Sequence, residues 1–317
     1  MSTRQTPLFA WLLLLPPILF WGGGYTATSI ATDHTSGLLL AGLRTLPTLA
    51  VLPLAFLFGA RLPRTREAIT GAIVSGLLVV TVFFIGISEG TRHAGAANAA
   101  VLISASPLWV AVLARVFLGE RVKRITTVGL LVGFAGIVLM VSRQLGGSHG
   151  AGDLTLGIGL ALAAGVAWAA GTLIVRRLAV RDRQLDFVGL TAAQYLAGSP
   201  LLIIVAFAVQ GTGGTDWGSA DLWGGTLWLA LGSSAIATVL FFKSLRWLDA
   251  AQTSSSQFLV PVVAVVVEIV RGHVPGGLAL AGMALAIVGV ALVVVGEPAR
   301  LAFARRRAAT SAQAHHR

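Results

Sequence analysis

Apolar stretches separated by short polar joints run the length of the chain, over residues 9–30, 37–59, 69–88, 95–118, 126–142, 155–175, 187–208, 223–242, 250–270 and 277–296. Each is close to the roughly 20 apolar residues an α-helix needs to cross a bilayer. The pattern predicts an all-α integral membrane protein with ten transmembrane helices. The joints are too short to hold a separate soluble domain.

The second half of the chain repeats the first. Arg92, Ala96, Ala97, Asn98 and Pro107 fall on Arg246, Ala250, Ala251, Gln252 and Pro261 at a constant offset of 154 residues. Gly129 and Gly136 match Gly282 and Gly289, and the Trp21-Gly22-Gly23-Gly24 run lies over Trp168-Ala169-Ala170-Gly171. Five helices per half is an odd number, so the second copy enters the membrane upside down. The joints after the fourth and ninth spans agree: Arg121, Lys123 and Arg124 follow the fourth, and the matching Gly272–Gly277 joint carries no Lys or Arg. The expected organisation is residues 1–147 for the first repeat, 148–298 for the second and 299–317 for a basic, disordered tail.

Charge placement supplies the orientation. A mean hydropathy of +0.86, with 56% hydrophobic and 11% charged residues, leaves too little polar surface for a soluble domain of this length. The net charge of +11 is not a nucleic-acid footprint. Arginine and lysine gather at alternate joints (Arg61, Arg64, Arg66; Arg121, Lys123, Arg124; Arg176, Arg177, Arg181, Arg183; Lys243, Arg246) and in the tail, and the intervening joints hold only Arg92, Arg143 and Arg271. By the positive-inside rule both termini are cytoplasmic and the protein is a multi-pass protein of the plasma (inner) membrane. No basic stripe with interleaved aromatics points to nucleic acid. The first apolar run lacks a small-residue cleavage site and has a membrane-helix partner in the second half, so it is expected to be a span rather than a cleaved signal. No cysteine is present, which excludes thiol chemistry and disulfides.

A Trp-Gly run in the first span, a proline in the fourth followed by Gly119-Glu120-Arg121, and a weaker copy of both in the second half resemble the drug/metabolite transporter superfamily, in its ten-helix EamA branch. The resemblance covers about residues 8–296. It implies secondary transport by alternating access, commonly export of amino acids or other small metabolites. One departure stands out: where the family often repeats Gly-Glu in the second half, this chain has Gly272-His273.

Candidate residues follow from what is costly inside a membrane. Pro107 and Pro261 lie mid-span at equivalent places, and each frees a carbonyl and bends its helix. They are either the hinges of a rocking pair or static kinks. Trp21, Trp168 and Trp109 lie deeper than the interfacial belt where tryptophan normally sits. With Tyr25, one turn beyond Trp21, they either wall a central cavity or pack the core. Arg44, inside the second span, is suited to grip a substrate carboxylate or phosphate with its planar fork. Gln194 occupies the matching place in the seventh span. Gln257 lies deep beside Pro261 and is a further substrate-binding candidate. Glu268 is a candidate coupling carboxylate, although Arg271 at i+3 favours a plain ion pair.

All six histidines lie at span ends, joints or the tail, so no catalytic constellation is expected at membrane depth. The chain is read as a non-enzyme with no cofactor and no bound metal. Its partners are a small-molecule substrate, the lipid bilayer and a proton or exchanged solute. Its oligomeric state is open between monomer and homodimer. A passive facilitator or channel is the alternative to a carrier.

Overall fold

The computed structural model describes residues 8–144, 153–272 and 275–294. Among these there is no strand, and nine helices are long and apolar enough to span a membrane: α1 (Leu8–Thr32), α3 (Arg66–Ala94), α4 (Asn98–Phe117), α5 (Arg124–Val141), α6 (Leu154–Arg181), α7 (Phe187–Gln210), α8 (Ala220–Ser244), α9 (Ala250–Val270) and α10 (Gly277–Val294). A shorter apolar helix, α2 (Gly37–Val51), lies between α1 and α3. The expected boundary at residue 147, the tail 299–317 and His273 lie outside the described residues.

The second span is where expectation and structure part. In place of one helix over 37–59, α2 is interrupted at Arg44, ends at Val51 and passes into a 3-10 segment, Leu52–Phe58. Pro47 and Pro53 explain this: neither offers an N–H to the carbonyl one turn back, so the α-helical ladder cannot run through. In contrast, α3 and α6 run longer than expected, because their terminal turns carry arginines whose charged heads reach past the apolar zone.

Helix packing follows the repeat. The pair α1·α8 has its counterpart in α6·α3, α1·α9 in α6·α4, and α2·α8 in α7·α3, and α2 meets α7 as α4 meets α9. These are the contacts of two five-helix units related by a two-fold axis in the membrane plane. The two C-terminal helices of the units meet through glycine. A Cβ on Gly129 would stand 2.6 Å from the Gly289 carbonyl, and one on Gly136 2.7 Å from the Gly282 carbonyl, so α5 and α10 approach backbone to backbone.

Two helices depart from α geometry at matching places. α3 is π-helical over Leu77–Val82 and α8 over Trp228–Ile236. A π segment leaves carbonyls without their usual intrahelical donor, and in α8 side chains of neighbouring helices use them. The proline bends are also present. α4 breaks between Ser104 and Ser106, with Pro107 opening the next segment. α9 tightens to a 3-10 turn over Ser256–Leu259, just before Pro261.

One end of the bundle collects the cationic residues of the joints. It comprises the C-terminal ends of α4, α6 and α8 and the N-terminal ends of α3, α5, α7 and α9, and is called here the basic end.

Candidate functional site

The centre of the bundle holds an aromatic cluster drawn from both halves. Trp21 of α1 meets Trp168 of α6 edge-on at 5.5 Å between ring centroids. Both rings contact Phe241 of α8, at 5.2 and 5.7 Å. Trp168 stacks on Phe242 and also meets Phe83 of α3. Phe83 leads to Phe84, over whose ring the Arg44 guanidinium lies at 4.5 Å. A continuous aromatic path therefore links the two tryptophans to a membrane-embedded cation.

The π segment of α8 is the anchor of this site. The Trp21 indole N–H donates to the Ser233 carbonyl at 2.9 Å, and the Ser233 hydroxyl donates back to the Phe20 carbonyl. Arg44 donates through Nε to the Ser234 hydroxyl at 3.1 Å and through Nη2 to the Leu229 carbonyl at 3.2 Å. Thr48, one turn along α2, donates to the Ala230 carbonyl. Ser234 is also bonded to the Tyr195 hydroxyl, which in turn reaches Thr238. Arg44 thus has two of its five N–H donors engaged by the protein, and among the described residues no carboxylate lies within 4.0 Å of it. Burying a cation without a counter-ion is costly unless a ligand supplies the charge.

The mates of these residues behave differently. Gln194 is fully buried, donates through Nε2 to the Ser75 hydroxyl at 2.8 Å, and leaves its carbonyl oxygen without a partner. Trp168 is 8% exposed, and its indole N–H is buried without an acceptor. Thr172, Thr191 and Ser199 add buried hydroxyls with no partner on the same two helices, α6 and α7. Tyr25, one turn beyond Trp21 on α1, is 47% exposed and joins no ring of the aromatic cluster.

The remaining expected residues divide. Gln257 accepts from the Ser106 hydroxyl at 3.0 Å, tying the α9 bend to the α4 bend across the two halves, and its amide nitrogen has no partner. Pro107 follows Ser106 directly, and Pro261 lies one turn beyond Gln257. Trp109 is not brought to the aromatic cluster: it is 36% exposed, and its ring meets no other ring among the described residues. Glu268 pairs with Arg271 at 3.0 Å and also accepts from Thr26 of α1, so it braces the end opposite the basic one. Phe83, Phe84, Tyr195, Phe241 and Phe242 were not singled out from sequence. The available signal was a Phe-Phe pair in the third span and another in the eighth.

A bundle of inverted five-helix repeats, with bent and π-distorted helices around an aromatic cluster that ends on a buried cation, is an integral membrane transporter in architecture. The comparisons with known proteins give the particular family. A family model, the EamA-like transporter family, matches residues 8–142 and again 155–295. The chain belongs to that family, and with it to the drug/metabolite transporter superfamily. It is 27% identical over 285 residues to an uncharacterized transporter, YvbV, of Bacillus subtilis (strain 168), covering 90% of this chain and 89% of that one. It is 29% identical over 278 residues to a probable terminal-alkyne amino-acid exporter of Streptantibioticus cattleyicolor, covering 87% and 89%. It is also 29% identical over 271 residues to the uncharacterized inner membrane transporter YedA of Escherichia coli (strain K12), covering 84% and 83%. A solved crystal structure superposes with a TM-score of 0.77 at 22% identity, over 91% of this chain and 97% of that one, and shows the same fold.

Proposed function

We propose that this protein is a secondary exporter of a small amphipathic carboxylate, of the amino-acid class, working by alternating access with its basic end and both termini in the cytoplasm. The observation that carries this reading is Arg44, a membrane-embedded cation with no carboxylate partner and three N–H donors left over, at the end of an aromatic path. A carboxylate on Arg44 and an apolar or aromatic group against Phe84, Phe83 and Trp168 would satisfy both ends of the site. The buried Trp168 N–H and the Tyr25 hydroxyl supply polar contacts for the rest of such a molecule. Bends at Pro107 and Pro261 give α4 and α9 the means to rock about the cavity. Export is favoured by the relative named as an amino-acid exporter. No nucleotide-binding motif is present, so a proton gradient or solute exchange would drive the cycle.

The test is mass spectrometry of the medium from cells overproducing the wild type, Arg44→Met or neither. Amphipathic carboxylates enriched outside only with the wild type support the reading. Equal secretion by wild type and Arg44→Met would remove Arg44 from the site. A secreted set made only of cations or neutral solutes would reject the carboxylate class.

A further inference from the structure

The basic end is fastened by one charged cluster that joins the two repeats. Gly119, at φ +64°, turns the chain sharply after α4 in a conformation that favours glycine. The turn brings Glu120 back toward the bundle. One Glu120 carboxylate oxygen accepts from Arg176 Nε of α6 at 2.7 Å, and the other accepts from the Ala250 backbone N–H, the first of α9, at 3.2 Å. Arg176 Nη1 donates onward to the Leu245 carbonyl, just past the end of α8. One ion pair therefore pins the end of α4, from the first repeat, to three helices of the second. Both side chains are largely buried, at 15% and 21% exposed, so solvent screens the pair less than a surface bridge.

Directly behind this cluster the bundle is sealed. Phe241, Phe242, Leu245, Ala250, Thr253, Ser254 and Ser255 are all 0% exposed. Arg176 lies eight residues along α6 from Trp168, or about 12 Å at 1.5 Å per residue, so the seal is the floor beneath the aromatic cluster. The residues of this pair are not repeated at the opposite end. By the repeat, Ser29 stands where Arg176 would, and His273 where Glu120 would. The opposite end is held by a different arrangement, Glu268 paired with Arg271 and bonded to Thr26.

We infer that Glu120 and Arg176 are the positioning residues that hold the basic end of the transport path shut, and that separating them opens the cavity to the cytoplasm. The inference rests on the alternating-access reading above, because a passage that never opened at this end would have no use for a releasable closure. Glu120 is suited to the task because its second oxygen holds a backbone N–H of α9. Breaking the ion pair frees α9 as well as α6, and α9 carries the Gln257–Pro261 bend.

The native chain has no cysteine, so a single reporter can be read without background. Ser254→Cys is nearly isosteric, and the Ser254 hydroxyl it removes has no partner. Labelling of this reporter by a membrane-impermeant maleimide would be followed in inside-out and right-side-out vesicles. With the native pair, labelling from either side is slow. With Glu120→Gln, and separately Arg176→Gln, labelling from the basic side rises at least about tenfold, given that the lost pair is worth more than an exposed bridge. Labelling from the other side does not rise.

Glu67→Gln is the control. It breaks the exposed pairs with Arg177 and Arg181 at the same end, and labelling stays at the native rate. If either single variant fails to fold, Glu120→Gln combined with Arg176→Met leaves no unpaired charge, and it too labels faster. Slow labelling in the folded single or double variants overturns the latch, as does fast labelling of the reporter in the otherwise native protein, or a Glu67→Gln rate equal to that of Glu120→Gln. Labelling does not depend on cargo. A wild type that moves no carboxylate in proteoliposomes, while the variants label faster, sinks the substrate assignment and leaves the latch standing.

Discussion

Replacing Arg44 with methionine removes the charge and fork while keeping most of the length that packs over Phe84. In the empty protein the variant loses bonds to Ser234 and to the Leu229 carbonyl. Ser234 keeps the Tyr195 hydroxyl as a partner, and the cost of holding an unpaired cation in the membrane also disappears. Exchanging a buried charge for an apolar residue of similar volume is often close to neutral, so the melting temperature should move little. A bound carboxylate, however, loses charge-assisted hydrogen bonds worth about 1.5–3 kcal/mol each. Two such bonds at the lower end of that range come to about 3 kcal/mol, and at tenfold per ~1.4 kcal/mol this is a fall of roughly 150-fold in transport efficiency. Counterflow in proteoliposomes measures it, with a transported carboxylate compared against its primary amide. The carboxylate should collapse and the amide should change by less than about threefold, since it forms no ion pair with Arg44. If Arg44→Met lowers both alike, Arg44 only braces α2 against α8. If it lowers neither, the cation lies outside the path.

Three further outcomes follow from single contacts. Trp168→Phe deletes an indole N–H that has no acceptor but also leaves a void among Phe83, Phe241 and Phe242; it should lower the melting temperature of the empty protein and weaken substrate binding about fivefold, as fluorescence titration would show. Gly136→Ala places a methyl 2.5 Å from the Ala286 nitrogen and should destabilise the α5–α10 contact by about 1–3 kcal/mol, read as an earlier thermal transition in detergent. Asp249 caps α9, and its carboxyl is held above its ordinary value of 3.8, first by burial and further by the charge of Glu120, against the hydrogen bond from the Gln252 N–H. Its contribution is fully present below 3.8 and is lost as pH rises through the elevated folded value. Asp249→Asn, which also caps well, should therefore flatten the melting temperature over that range and be the more stable form at neutral pH. A wild-type profile that instead climbs with pH in step with the variant would contradict this.

The repeat, the helix count and the fold class were legible because they rest on hydropathy and on residues spaced at a constant offset, both properties of the string itself. Pro107 and Pro261 marked real interruptions because a missing N–H acts locally. The second span was misjudged as one continuous helix for a related reason. Pro47 and Pro53 stand in a run as apolar as any other, and hydropathy outweighed their broken hydrogen bonds. The π segments were invisible. Nothing in Leu77–Val82 or Trp228–Ile236 forbids an α-helix, and the donors that meet the second of them come from residues far away in the chain. Arg44 was singled out by its cost, yet its partners could not be, since Leu229 and Ser234 lie some 190 residues away and the first acts through its carbonyl. Trp109 shows the limit of depth as a criterion: distance along a helix fixes the height of a side chain, not the face from which it projects.

Duplication supplies the architecture, and in the proposed reading the positions where the copies differ carry the chemistry. Trp21 and Trp168 are mates, but only Trp21 finds a carbonyl, on the π segment of α8; the corresponding bond from Trp168 to α3 is not made. Arg44 and Gln194 are mates, and the neutral one is held by Ser75 inside its own packing while the charged one keeps donors to spare. Arg176 and Ser29 are mates, and only the first can close an end with Glu120. In each pair one copy satisfies the scaffold and the other departs from it at some cost in burial or charge. A symmetric bundle would bind with equal preference from both sides and close both ends alike. Here the differences between mates fall on the aromatic cluster and on the closed end beneath it.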